Sequence, residues 1–397
     1  MELFRNQHAG SWQDKSRGER AVLPHAAHAT FRDDARTVYV AMVEELGPEY
    51  LGFAIGVLRS ALPSRGYTGH VQGYTVHAVL QVVMKDAQAG ALDEVIDAII
   101  PIIETELFGQ VSEEKEAHAF VGGCKEAKRL RAYATYQLLA QGITFRTHMS
   151  ALLQPVIARL GEASNPKARA KLQQLLQAAV QGVLANDSVS PSDLLIFIHG
   201  VLEAGVAAEE AAQAAAQAFA EAPGANPEAP EGAREQHLLM EMALALLLSA
   251  INKSTRNKID ARDPDMLGML GGLLPFLIRA MRSRHGTVAS TALRVFSVLV
   301  PLPLPGLPEQ APQAGAAMTA LLRRAPDSNA PIAQECFKLL AALLRACSSY
   351  QARSCTSVLS ADPHTPHLTL QPWAWASPKA APDAAHAQGM SGRSLAR

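Results

Sequence analysis

The feature that most constrains this chain lies between Tyr50 and Glu116, where three apolar helical patterns follow one another with short breaks. Leu51, Ile55, Leu58 and Leu62 recur at i, i+4, i+7 and i+11, the spacing of one helix face. Pro63, Ser64, Arg65 and Gly66 interrupt the pattern. Val71, Tyr74, Ala78 and Val82 begin a second stripe, Gly90 breaks it, and Leu92, Val95, Ile96, Ile99 and Ile103 form a third. A lone amphipathic helix cannot bury its apolar face, whereas helices stacked in a row bury one another's. Helix and short turn in alternation therefore imply a stacked helical array.

The same alternation extends in both directions. Asp33 or Asp34 is placed to cap a helix running to about Leu46, with Val38, Met42 and Val43 as its apolar side and Gly47–Pro48 as its stop. The run from Glu113 to Tyr136 is strongly charged and reads as a long exposed helix interrupted at Gly122 and Gly123. Thr147 is placed to cap a helix carrying Met149, Leu152, Leu153, Val156 and Leu160. Asn165–Pro166 and Ser190–Pro191 open two more, since a capping side chain followed by proline suits the first turn. Leu172, Leu175, Leu176, Val180 and Val183 face the core in the first, and Leu194, Leu195, Ile198, Val201 and Leu202 in the second. Further helices are expected over 235–250, 264–282, 287–299, 313–324 and 330–347, with Pro301 to Pro308 as a rigid extended connector. No strand is needed.

The fold class is therefore all-α, a HEAT- or armadillo-like solenoid of antiparallel helix pairs with an irregular period. Five segments follow: a disordered leader at 1–30, helical repeats over 31–206, an Ala/Pro-rich insertion at 207–234, repeats over 235–347, and a disordered tail at 348–397 with no period and many Pro and Ser.

Composition narrows the function classes. Lys plus Arg total 36 against 37 for Asp plus Glu, which argues against a uniformly basic nucleic-acid binder and leaves room for local patches. Cys124, Cys336, Cys347 and Cys355 include no CxxC pair, as expected of unpaired thiols in a reducing compartment. The start MELFRNQHAG is polar and lacks the apolar core of a signal peptide. The most apolar run, His237 to Ile251, carries Glu241 and falls short of the roughly 20 residues of a span. A soluble intracellular protein is expected.

Catalytic motifs are lacking: no GxxxxGK[ST], GxSxG or HExxH occurs. His25 with His28, and His364 with His367, have metal-like spacing but no third ligand close by, and a closed structural site takes four. His70 and His77 share a helix face and read as core histidines. Gly268, Gly271 and Gly272 follow no strand and read as close helix packing. Neither cofactor nor metal nor small-molecule substrate is expected. The basic clusters remain. Lys125, Lys128, Arg129 and Arg131 crowd together ahead of Tyr133 and Tyr136; Arg279, Arg282 and Arg284 precede His285 at a helix end; Lys167, Arg169, Lys171 and Lys253, Arg256, Lys258 form two more. Each reads either as solvated surface or, if aligned along one edge, as contacts to RNA phosphates, which need positioned charge without base readout.

The wording of the central stretch adds a resemblance. ELGPEYLGFAIGVLRSAL, RGYTGHVQGYTVHAVL and GALDEVIDAIIPIIETELFGQVSEEKE strongly resemble the DRIM (down-regulated in metastasis) family, of the U3 small nucleolar RNA-associated protein 20 type. The likeness continues through KEAKRLRAYATYQLLAQGITFRTHMSALLQPV and ANDSVSPSDLLIFIHGVLEAGV, and covers about residues 32–347. It implies a HEAT-repeat scaffold of the small-subunit processome, located in the nucleus and nucleolus. Its implied partners are pre-ribosomal RNA, small nucleolar RNA and other processome proteins, with no membrane and no catalysis. Family members are several-fold longer, so an internal segment is expected. The alternative reading is a protein-only HEAT-repeat adaptor in transport or complex assembly.

Overall fold

The computed structural model describes residues 22–62, 66–109, 126, 130–221, 236–252, 259–260, 262–325 and 330–346, all within the first of two units, Met1–Leu359. The tail expected over 348–397 lies outside the described residues. Among the described residues thirteen α-helices follow in chain order. They are α1 (Val22–Leu46), α2 (Leu51–Ala61), α3 (Gly66–Val83), α4 (Ile96–Phe108), α5 (Ala132–Gly142), α6 (Phe145–Ala158), α7 (Pro166–Ala185), α8 (Pro191–Glu221), α9 (His237–Asn252), α10 (Pro264–Met281), α11 (Gly286–Leu299), α12 (Leu307–Arg324) and α13 (Pro331–Ala346). Short 3-10 turns precede α2 and α4 and follow α6, and the described residues contain no strand.

The packing is an all-α solenoid of two layers. Odd-numbered helices stack in one row, α1 on α3, α3 on α5, and so on through α7, α9 and α11 to α13. Even-numbered helices line the other row, α2 on α4 on α6 and α8 on α10 on α12. Cross-layer pairs such as α4 with α5, α10 with α11 and α12 with α13 close one apolar core.

The local causes are those of helical punctuation. Asn165 and Asp263 cap α7 and α10, their side chains accepting from the amides of Lys167 and Asp265 at 3.0 Å, each with proline next in line. Ser190 accepts from Asp193 N at 3.1 Å while its hydroxyl donates to the Asp193 carboxylate at 2.7 Å, a reciprocal cap for α8. Gly47 and Gly90 turn the chain at φ +89°, a conformation that a side chain strains. Gly182 allows α7 to lie against α5: a Cβ there would fall 2.3 Å from Gln137 O.

Several expectations need correcting. The helix expected from Asp33 begins at Val22, so residues 22–30 of the expected leader are helical; Asp33 is internal and accepts from Arg36 Nη1 at 2.7 Å. Val38 and Met42 are exposed while Val43 is buried, since five residues turn a helix by well over a third of a revolution. In α3 the expected stripe fails beyond Val71: Tyr74, Ala78 and Val82 are only half-buried, while His70, Gln72, Thr75, Val76, His77, Val79 and Leu80 are buried. This helix packs against α1, α2, α4 and α5 and keeps only a narrow outer edge, along Tyr74, Ala78, Gln81 and Val82, which is the edge the expected stripe picked.

The charged run before Tyr136 is not a wholly exposed helix, because Glu126 and Tyr136 are both buried. Thr144, not Thr147, precedes α6, and it is tied to Asp93 through both its amide and its hydroxyl. The Ala-rich residues 207–221, placed in the expected insertion, continue α8. The Pro301–Pro308 connector is folded into turns, and α12 already starts at Leu307, six residues early. Of the three glycines in α10 only Gly271 meets a neighbour, the Pro305 backbone. Cys336 is buried with a free thiol, and the other three cysteines lie outside the described residues.

Candidate functional site

The described members of the basic clusters enter separate intrachain contacts. Lys125, Lys128 and Arg129, like Lys253, Arg256 and Lys258, lie outside the described residues. Arg279 belongs to the last turn of α10, beside α8. Its Nε and Nη2 donate to the two carboxylate oxygens of Glu210 at 2.7 and 2.5 Å. That two-point bond holds the Glu210 carboxyl below its usual range and the guanidinium above its own. Glu209 accepts from the backbone amide of Arg284 at 2.7 Å, so two acids of α8 fasten this corner. The side chains of Arg282 and Arg284 are exposed.

The cluster at the start of α7 serves the fold. Lys171 Nζ donates to Leu107 O at 2.8 Å, a cation on the carbonyl end of α4. Arg159 lies 4.6 Å from the Phe108 ring centroid and 3.4 Å from Glu104, and Arg169 Nε donates to Ala163 O at 3.1 Å.

Arg131 leads to a different arrangement, a polar seam buried between α1, α3 and α5. Arg36 and Arg131 both lie over the Tyr74 ring, at 4.5 and 5.2 Å from its centroid. Arg36 Nη2 meets Glu126 at 2.8 Å, Arg32 Nε meets the same carboxylate oxygen at 3.4 Å, and Arg36 Nε donates to Thr75 Oγ1 at 3.2 Å. His77 Nδ1 lies 3.3 Å from Thr135 Oγ1. Gln72 donates to Leu62 O at 2.7 Å, satisfying a carbonyl at the end of α2. Glu106 fills the space above Gly73, where a Cβ would fall 2.6 Å from its Oε2.

The seam alters protonation. Burial first, and then the Arg131 charge, lower His77 from 6.5 to about 4, so its imidazole is neutral in the fold. Burial, helped by Glu106, pushes the Tyr133 phenol up to about 12. For His77 the unfolded chain takes up the proton more readily. Stability is fully present above pH 6.5 and is lost as pH falls toward 4. Urea midpoints measured across that window are expected to fall for the natural chain and to fall less for His77→Gln. Parallel curves for the two would show that His77 is not the group responsible.

Arg36, Gln72, Thr75, Glu106 and Glu126 were not among the residues singled out from sequence. The available signal was the density of polar residues inside the apolar α3. What the seam does chemically is fasten three helices; His77 and Thr135 are each under 5% exposed, closed to a substrate. Among the described residues no group of three His, Cys, Asp or Glu is placed to hold a metal ion.

The α1–α3–α5 seam and the motifs around it fall inside a family match. Residues 25–202 match the model of the U3 small nucleolar RNA-associated protein 20 domain. That stretch of the chain is similar to this family. It spans α1 to the first third of α8 and so includes every residue of the seam, whereas the Arg279 corner lies beyond it. Two curated relatives carry the family name. The U3 small nucleolar RNA-associated protein 20 of Schizosaccharomyces pombe is 28% identical over 313 residues, 79% of this chain and 12% of that protein. Its counterpart in Saccharomyces cerevisiae is 32% identical over 172 residues, 43% of this chain and 7% of that protein. The chain thus spans about an eighth or less of the length of these relatives.

Proposed function

We propose that this chain acts in ribosome biogenesis as a non-catalytic scaffold of the small-subunit processome, supporting maturation of the 18S rRNA precursor in the nucleolus. The observation that carries the reading is the family match over 25–202, reinforced by the 79% coverage against the S. pombe relative, which is named for association with U3 small nucleolar RNA. A two-layer solenoid suits the role, because each helix pair contacts only its neighbours and leaves long surfaces for RNA and protein. Phosphate contact is assigned to Arg282 and Arg284, exposed beside the Glu210-held Arg279, with Lys125, Lys128 and Arg129 as further candidates outside the described residues. No described helix is long and apolar enough to cross a membrane. The adaptor reading draws on one feature, the use of Arg279 and the Arg284 backbone in intrachain contacts with acids.

The decisive experiment is gradient sedimentation of the tagged chain from cell extract, each fraction probed for precursor rRNA. Co-migration with large precursor-containing particles is expected, weakened in Arg282→Ala/Arg284→Ala and by added salt, as backbone contacts are. Migration as a free monomer, with a full-length relative still in the particles, would refute the proposal for this chain.

A further inference from the structure

Of the large apolar side chains exposed among the described residues, six fall between Phe31 and Phe53, and only Ile157 and Ile196 lie elsewhere. On α1 they share one face. Val38, Met42 and Leu46 recur every fourth residue, and Phe31 stands two turns before Val38; Val38 is 60% and Met42 56% exposed. Tyr50 and Phe53 extend the strip through the next turn into α2. The opposite face of α1, with Arg36 and Val43, packs on α3. Among the described residues, each odd-row helix from α3 to α11 has an odd-row neighbour on both flanks, whereas α1 has one on the α3 side.

The surround of the stripe is negative. Between residues 31 and 46 the exposed charges are Asp34, Glu44 and Glu45, of which Glu44 is offset by Lys85 at 3.6 Å. At the following turn Glu49 opens a cavity of about 530 Å³ that Asp86 and Glu94 also line.

We propose that this face docks a basic amphipathic helix of a protein partner, lying on α1 as α3 does on its other side. The apolar side chains at i, i+4 and i+8 would meet the partner's own stripe, which supplies the affinity. The acids would select Lys or Arg at its flanks and set its direction.

The test uses the full chain and a fluorescent peptide of about five helical turns, with Leu at i, i+3, i+4 and i+7 and Lys at the flanks. Its control carries Glu for every Lys. Anisotropy titration is expected to show the Lys peptide bound about tenfold more tightly or better than the control. Val38→Asn/Met42→Gln should weaken it about tenfold with unchanged melting, because both side chains are exposed. Asp34→Asn/Glu45→Gln should remove the preference for Lys over Glu and the salt dependence. Equal binding of the two peptides, or indifference to both double variants, overturns the proposal. So does a dimer that Val38→Asn/Met42→Gln converts to monomer, since a second copy would then occupy the face. A lower melting temperature for that variant also overturns it, because the stripe would already be covered.

Discussion

Replacing Glu126 by Gln is expected to cost about 3–5 kcal/mol of folding stability, the range for stranding one member of a buried ion pair. The Glu126 side chain is fully buried and that of Arg36 is 7% exposed. The carboxylate answers two guanidiniums, Arg36 at 2.8 Å and Arg32 at 3.4 Å. Gln keeps the shape and one acceptor but removes the charge. Arg36 would then rely on Asp33, itself 36% exposed, and on the Thr75 hydroxyl. The loss exceeds that of a surface pair, worth about 0–1 kcal/mol, because water cannot replace the missing charge. Denaturation followed by circular dichroism measures it. A Glu126→Leu/Arg36→Met double variant should recover much of the loss, since an apolar pair of similar volume fills the same seam without desolvating charge. A loss under about 1 kcal/mol for Glu126→Gln would place this pair with ordinary surface bridges and contradict the burial argument.

That pair also shows where sequence reading stopped. The stripes over 51–62, 92–103 and 149–160 were legible because α2, α4 and α6 each present a single face to the core, so burial leaves a period in the residues. In α3 four packed neighbours bury polar and apolar residues alike and leave only a narrow outer edge, so hydrophobicity does not mark the buried face. In α1 two apolar stripes compete, Val38–Met42 and Tyr39–Val43, and the choice is made by Arg36. Pattern reasoning sends an arginine to solvent, yet here it faces inward because Glu126, 90 positions away, awaits it. The fate of the Arg279 cluster depends on Glu209 and Glu210, some 70 residues earlier, and no local spacing reveals such a contact. The RGYTGHVQGYTVH string carried the family resemblance, and four of its polar residues, His70, Gln72, Thr75 and His77, are buried.

Truncating Tyr136 to Ala is expected to cost about 3–5 kcal/mol, as for other buried aromatic side chains. The ring is fully buried in α5, and its hydroxyl donates to Leu152 O on α6 at 2.5 Å. Tyr136→Phe separates the two contributions. It keeps the packing, removes the hydroxyl and leaves the Leu152 carbonyl its helical acceptor role, so about 1 kcal/mol is expected, the net worth of one hydrogen bond. Burial also raises the phenol above its ordinary 10. The unfolded chain therefore ionises first in alkali, and the stability held below pH 10 is lost as pH rises beyond it. Tyr136→Phe should flatten that alkaline limb, although Tyr133, pushed to about 12, leaves a residue of it. Equal losses for Phe and Ala would mean that the hydroxyl, not the ring, holds α5 to α6. Small losses for both would return Tyr136 to the surface that the charge of the preceding run suggested.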